Sequence, residues 1–485
     1  MATGASKTDS QAAGAADAAP AKAHGVSGLR EHEDHRAMMR AHHERMLWTT
    51  LTNIVLGFWL IAGVFAVDYH SVPLRWSDAI SGLLIVAFGL VALSPRLDLA
   101  RWGICFAGIW LLFAPLVFWA PTPFAYANDT LVGALAIALS VLVPMMPGMG
   151  HHMAMMAPGP DVPPGWSYNP SSWPQRAPMI AMAFAAFLLS RYLAAFQLGH
   201  IDHAWDPFFG NGTVTILTSK VSKAWPLSDA GLGSLSYLLE ALSGYMGGTT
   251  RWRTMPWMVL MFGFLVIPLG VTSIVLVILQ PVVVGAWCTV CLVTAGLMLA
   301  MIPLALDEVV AMVQFMLHAR DEGQSPGQLW HTFWVGGTLA EEEENEEENE
   351  DTRTPRLTAA PRELAPAMVW GVTLPWNLVA AAALGLALLA APTLLGSPGG
   401  VADSDHLVGP LMTTFAVIAL AEVGRPVRFL NVVLGAWLVA APWLLGGATT
   451  AAAANDMVAG LALVLLSLRR GAVRERYGGW QRLLV

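Results

Sequence analysis

Charge and cysteine are what this sequence has least of. Only 12% of its 485 residues are charged, against about a quarter in ordinary soluble domains. Hydrophobic residues make up 55%, and mean hydropathy is +0.56. That balance excludes a soluble globular chain and predicts a polytopic membrane protein. Three cysteines exclude a disulfide-stapled scaffold, and no Cys/His quartet of the zinc type is present. No basic aromatic face and no nucleic-acid motif occur, so nucleic acid is not an expected partner. The net charge of −8 owes much to one run, Glu341 to Asp351, which reads as a solvated linker. Met1 to Gly25 is Ala-rich and polar, and reads as unstructured chain rather than a signal peptide; the first apolar segment begins near Met46.

What is there, first of all, is repetition. Gly57-Phe58-Trp59 is followed by Asp78 and Gly82, 21 and 25 residues after Gly57. Gly108-Ile109-Trp110 is followed by Asp129 and Gly133, and Gly435-Ala436-Trp437 by Asp456 and Gly460, at the same distances. A fourth copy, Gly385 with Asp405 and Gly409, is one residue shorter. Three copies carry Ala-Pro at one place: Ala114-Pro115, Ala391-Pro392 and Ala441-Pro442. Each unit reads as a membrane helix, a turn and a return helix. Ser77-Asp78, Asn128-Asp129, Ser404-Asp405 and Asn455-Asp456 are expected to cap the return helices, and the glycines to let helices approach closely. The units resemble the membrane repeat named for its Ser-Pro-Trp motif, here Ala441-Pro442-Trp443, over about residues 49–147 and 373–469. That resemblance implies scaffold and brings no chemistry.

Two of the three cysteines fall together in Trp287-Cys288-Thr289-Val290-Cys291, at the head of an apolar run that continues to Leu306. On a helix this spacing puts both sulfurs on one face, close enough for a small disulfide ring. The thiolate is the nucleophile of disulfide exchange. The plainer alternative is two small core hydrophobes. Three more apolar segments precede the run, at about 177–199, 228–248 and 256–281. Elsewhere, the stretch Pro144 to Arg176 offers His151, His152 and Met153, with Met149, Met155 and Met156, a set of the type that suits Cu(I), or else a surface connector. His32 and His35 share a face of a charged lead-in helix that also holds His42 and His43, but no acid or cysteine completes a geometry there.

Counting gives about twelve spans, and loop charge orients them. With the N-terminus inside, Arg36, Arg40, Arg45, Arg96, Arg101, Arg176, Arg251, Arg253, Arg425, Arg428 and the tail arginines face the cytoplasm, and Arg75, Lys220 and Lys223 the other side. The expectation is a multi-pass protein of the bacterial inner membrane with both termini cytoplasmic. Cys288 and Cys291 then lie near the outer face, in an oxidising compartment, while Cys105 sits near the inner end of another helix, out of reach.

Four helices with a Cys-x-x-Cys on the fourth resemble the vitamin K epoxide reductase family, over about residues 177–317. The resemblance rests on Trp287 to Cys291, on Leu227-Ser228-Asp229-Ala230-Gly231-Leu232-Gly233 followed by Tyr237, and on Arg191-Tyr192 with Gln197-Leu198-Gly199. It implies a membrane thiol:quinone oxidoreductase that holds a quinone, ubiquinone or menaquinone, beside the cysteine pair. Cys291 would face the quinone and Cys288 would exchange with a soluble thiol-disulfide protein on the outer side. Asp229 takes the place of a polar residue that hydrogen-bonds the quinone carbonyl, though Ser228-Asp229 also reads as a helix cap. Tyr237, Trp225 and Trp287 would wall the head group. Arg191 would snorkel, line the site, or pair with Asp229, Asp202, Asp206 or Glu240. The family's second cysteine pair is missing: the loop His200 to Leu227 has Gly212, Thr213, Thr218 and Ser219 in that neighbourhood and no cysteine. A second reading therefore stands, a quinone- or lipid-binding scaffold protein whose cysteines do not turn over. Membrane lipid is a partner in either case, and no oligomeric state is legible.

The expected fold class is thus an all-α polytopic membrane protein. Its expected parts are a charged N-terminus (1–45), a repeat pair (46–147), a Met/His/Pro-rich connector (148–176), a four-helix domain (177–317), an acidic linker (318–366), a second repeat pair (367–469) and a basic tail (470–485).

Overall fold

A computed structural model describes residues 20–66, 68–143, 159–337, 350–397, 399–445 and 448–484. The described residues form helices, with no strand beyond two isolated bridges. The first repeat pair contains α1 (Pro20–Ala66), α2 (Val72–Ala92), α3 (Ala100–Val117) and α4 (Pro123–Ile137). The centre contains α5 (Trp173–Gln197), the short α6 (Gly212–Thr218), α7 (Asp229–Tyr245), α8 (Pro256–Leu279) and α9 (Thr289–Asp321). The last pair contains α10 (Trp376–Leu395), α11 (Gly399–Ile418), α12 (Leu430–Leu445) and α13 (Thr450–Leu468). Ten of the described helices are long and apolar enough to cross a membrane. Of the twelve expected, α7 is shorter, at 17 residues, and α11 carries Asp403, Asp405 and His406 in its first half. Both pack along their hairpin neighbours, α5 and α10. The helix from Pro20 also begins inside the segment Met1 to Gly25 that was expected to lack structure.

The repeat glycines are where the hairpins touch. A Cβ on Gly57 would stand 2.8 Å from the Gly82 carbonyl oxygen, and on Gly435 2.7 Å from that of Gly460; Gly108/Gly133 and Gly385/Gly409 meet likewise. No side chain fits between such backbones, so van der Waals contact and weak Cα–H···O bonding hold them. The tryptophan two residues after the glycine reaches across hairpins: Trp59 Nε1 donates to Asn128 Oδ1 at 2.9 Å, Trp110 Nε1 to Ser77 Oγ at 2.9 Å, and Trp437 Nε1 to Ser404 Oγ at 3.0 Å.

The four repeat aspartates are not caps. Ser71, Thr122 and Thr449 cap α2, α4 and α13. Asp78, Asp129, Asp405 and Asp456 lie further in, each at most 1% exposed. Asp78 meets Asp129 across the first pair, joined by Tyr69, and Asp405 meets Asp456 across the second.

The apolar run from Cys288 was expected to end at Leu306, yet α9 continues to Asp321. Charge is tolerated there because distant segments satisfy it. Arg251 grips Glu308 with two bonds of 2.6 Å, and Tyr168 donates to Asp307 Oδ2 at 2.5 Å. Tyr168 belongs to the second half of the connector, where Trp166, Tyr168, Asn169 and Ser171 are buried. Trp166 Nε1 donates to Gln314 Oε1 at 2.6 Å and packs edge-on against Tyr477 of the C-terminal tail, 4.9 Å between ring centroids. Described connector and tail residues thus form a packed seam at the end of the bundle opposite the cysteine pair, rather than loose surface chain. Met149, His151, His152, Met153, Met155 and Met156, the side chains of His32 and His35, and most of the acidic run lie outside the described residues.

Candidate redox site

Local sequence places the cysteines. Chain leaving α8 passes through a wide π-helical turn, Gln280–Val284, and then through Gly285 in the left-handed region at φ 73°, which a side chain resists. It re-enters a helix with Cys288 as the extended N-cap residue of α9. Cys288 and Cys291 are disulfide-bonded, with Cα atoms 5.3 Å apart. Cys105 is a free, buried thiol in α3.

The two sulfurs face different surroundings. Cys291 is half-buried and lines a cavity of about 800 Å³ bounded by α5, α7, α8 and the chain between α6 and α7. Val271 and Val275 of α8 are exposed and form part of the cavity wall. Cys288 is fully buried, packed with Leu193, Ala204, Leu217 and Val290. Above it lies the loop of α6, so close that a Cβ on Gly212 would fall 1.9 Å from the Trp287 carbonyl oxygen.

Asp206 latches that loop. Its Oδ1 accepts from the Phe208 and Phe209 amides and the Thr289 hydroxyl, at 3.1, 2.9 and 2.5 Å. Its Oδ2 accepts from the Thr213 amide, the Thr213 hydroxyl and the Thr289 amide, at 3.1, 2.7 and 3.1 Å. Burial alone would raise the carboxyl, but hydrogen bonds from Thr289, Thr213 and Phe209 outweigh it and hold it below the usual carboxylate range. One acid therefore ties the loop to the residue between the two cysteines. The sequence signal was thin: a single Asp among aromatics.

The cavity gathers some of the residues singled out from sequence. Asp229, Tyr237 and Trp225 line it, with Cys291. Ser228 stands behind the wall as the N-cap of α7, accepting from the Gly231 amide at 2.9 Å. Asp229 is the first residue of that helix, and its Oδ1 accepts from Gln197 Nε2 and from the Ala230 amide. Trp287 turns away from the cavity, toward Phe209 and toward His406 of the last repeat pair, 5.8 Å between ring centroids. Arg191 neither lines the cavity nor pairs with Asp229, Asp202, Asp206 or Glu240. It faces the first repeat pair, donating to Thr130 Oγ1 at 3.1 Å with its guanidinium over the Tyr126 ring, because those groups satisfy it beside apolar neighbours. Gln280, not singled out from sequence, lines the cavity while its Oε1 accepts the Cys288 amide at 2.9 Å. Among the described residues no group of three or more His, Cys, Asp or Glu side chains is placed to hold a metal ion.

Fold and site define a multi-pass membrane protein with a redox-capable cysteine pair beside an apolar cavity. Residues 177–306 match the vitamin K epoxide reductase family, and residues 47–143 and 375–470 match the SPW repeat domain. The match to the vitamin K epoxide reductase family thus falls on a central segment flanked by the two SPW matches, and it supports oxidoreductase chemistry of the thiol/quinone type in general terms. No curated protein and no solved structure matches the chain.

Proposed function

We propose that this protein is a thiol:quinone oxidoreductase of the bacterial inner membrane, with both termini cytoplasmic and the cysteine pair near the outer face. The observation that carries the reading is that Cys291 opens into a cavity of about 800 Å³, within the 300–1,000 Å³ typical of small-molecule sites. An apolar wall with a few polar groups suits a quinone head entering from lipid. Cys291 is the sulfur that faces the quinone, and Cys288 the one that meets the outer thiol. In the oxidising direction the two thiols lose two electrons and two protons and form one S–S bond, and the quinone takes up both to become the quinol. Asp229 and Tyr237 belong to the cavity's polar wall and Trp225 to its aromatic rim; Ser228 supports Asp229 from behind. Ubiquinone and menaquinone both suit the cavity's chemistry.

Without loop cysteines there is no internal relay, so a soluble outer-side thiol-disulfide protein exchanges with Cys288 directly. Because Cys288 is fully buried, that exchange needs the α6 loop to lift. The same burial favours the second reading, a protein that binds quinone or lipid without turning the pair over. Thiol trapping of Cys288 and Cys291 in native membranes, with and without added quinone, separates the two. A quinone-dependent shift from dithiol to disulfide supports the oxidoreductase, and a pair indifferent to the quinone pool supports the binding protein.

A further inference from the structure

The helix before the redox pair is the most apolar of the ten described helices able to cross a membrane. The span Pro256–Val284 has a window of mean hydropathy 2.6, and it closes on a glutamine that is 3% exposed. An intramembrane polar side chain is retained for a partner or a function. Gln280 has a partner for only half of its amide. Oε1 takes the Cys288 amide, which by elimination leaves Nε2 as the other end of the plane. That nitrogen has no hydrogen-bond partner among the described residues, and Gln280 is part of the cavity wall with Cys291. The backbone is shaped to hold it: the π-helical turn begins at Gln280, and the Gln280 carbonyl takes the Ala286 amide at 3.2 Å. Such turns inside helices recur at functional sites. One rigid amide thus stands between the backbone of one redox cysteine and the cavity that the other sulfur lines.

We propose that Gln280 is the quinone-carbonyl donor of this site, a proposal that rests on the thiol:quinone reading above. Its Nε2–H donates to a quinone oxygen. That oxygen gains negative charge as electrons arrive from the dithiol, so a fixed donor binds it more strongly as the reaction proceeds and speeds the step. Gln280 itself gains and loses no proton; both protons on the quinol come from the dithiol. Asp229 is less suited to this task, because its Oδ1 is already occupied by Gln197 and Ala230.

The test uses the full chain in detergent, reduced, with a short-chain benzoquinone as oxidant. The readouts are kcat and KM for formation of the Cys288–Cys291 disulfide, and its formation by a quinone-independent chemical oxidant as a control for folding. Gln280→Leu should lower quinone-dependent kcat/KM by about a hundredfold relative to its own rate of chemical oxidation. Gln280→Glu keeps an oxygen for the Cys288 amide but has a donor only when protonated. Its quinone-dependent rate should recover as pH falls, with an inflection that the unaltered chain lacks. Should Gln280→Leu fail to fold, Gln280→Glu decides alone. A Gln280→Leu rate within about threefold of the unaltered chain, a loss too small for a removed donor, overturns the proposal, as does a Gln280→Glu profile with no added inflection. If the unaltered chain shows no quinone-dependent oxidation, the reading of the previous section falls, and this one with it.

Discussion

The repeat pairs and the central domain are built from the same antiparallel helices, yet they treat the space between helices in opposite ways. In the repeats, glycines meet carbonyls at 2.5 to 2.8 Å from a notional Cβ, and the interface closes on itself. In the centre, a cavity of about 800 Å³ lies beside a cysteine, with Gln280 and Val284 of the π-helical turn in its wall. Closed repeats are walls. The open bundle is the place where a ligand fits. Contact between them is direct: Leu116 of α3 packs against Gly231 of α7, and His406 of α11 meets Trp287.

The sharpest way to break the comparison is to open a repeat. Gly435→Leu sets a side chain against the Gly460 carbonyl and the Val464 side chain, and should cost about 3 kcal/mol. Thermal unfolding in detergent should fall accordingly, while the quinone-dependent rate of the folded fraction stays unchanged. A lost rate at unchanged stability would mean that the repeats take part in the chemistry.

Removing the latch is the next largest effect. Asp206→Asn turns an amide group toward three donors that now meet a carboxylate oxygen, at a cost of about 2 kcal/mol. The pH dependence has a definite sign. The folded carboxyl titrates below its usual range, whereas the unfolded one titrates near ~3.9. The Asp206 contribution is therefore complete above the unfolded value and is lost as pH falls through the lower folded value. The gap in unfolding temperature between the unaltered chain and Asp206→Asn should hold constant from pH 7 down to about 4 and narrow only below that. A gap that closes near neutrality would contradict the assignment.

The smallest effect concerns access. Gly212→Ala forces the loop off the Trp287 carbonyl. In the reduced protein, maleimide labelling of Cys288 should speed up by about tenfold, corresponding to ~1.4 kcal/mol less work to open the loop. Unchanged labelling would show that Cys288 is reached by another route.

Legibility followed the same division. The repeats could be read because their glycines and tryptophans recur at fixed spacing, and the cysteine pair because its motif is local. Asp78 and Asp129 were misread as caps because a Ser-Asp or Asn-Asp dipeptide carries no sign of the facing hairpin. The charged end of α9 was lost for a similar reason: Glu308 answers Arg251, 57 positions away, and Asp307 answers Tyr168, 139 away. Arg191 sat among apolar residues with several acids in reach, and its actual partner, Thr130, comes from the other domain. Gln280 was invisible because its position depends on a π-helical turn, which no hydropathy pattern marks.

The most direct test of the central claim is the quinol yield of the reduced, purified chain under anaerobic conditions. On addition of a short-chain quinone, the account predicts one equivalent of quinol per chain, formed in step with the Cys288–Cys291 disulfide, and none from Cys291→Ser. Quinone that binds without any quinol appearing, or equal quinol from Cys291→Ser, would contradict it.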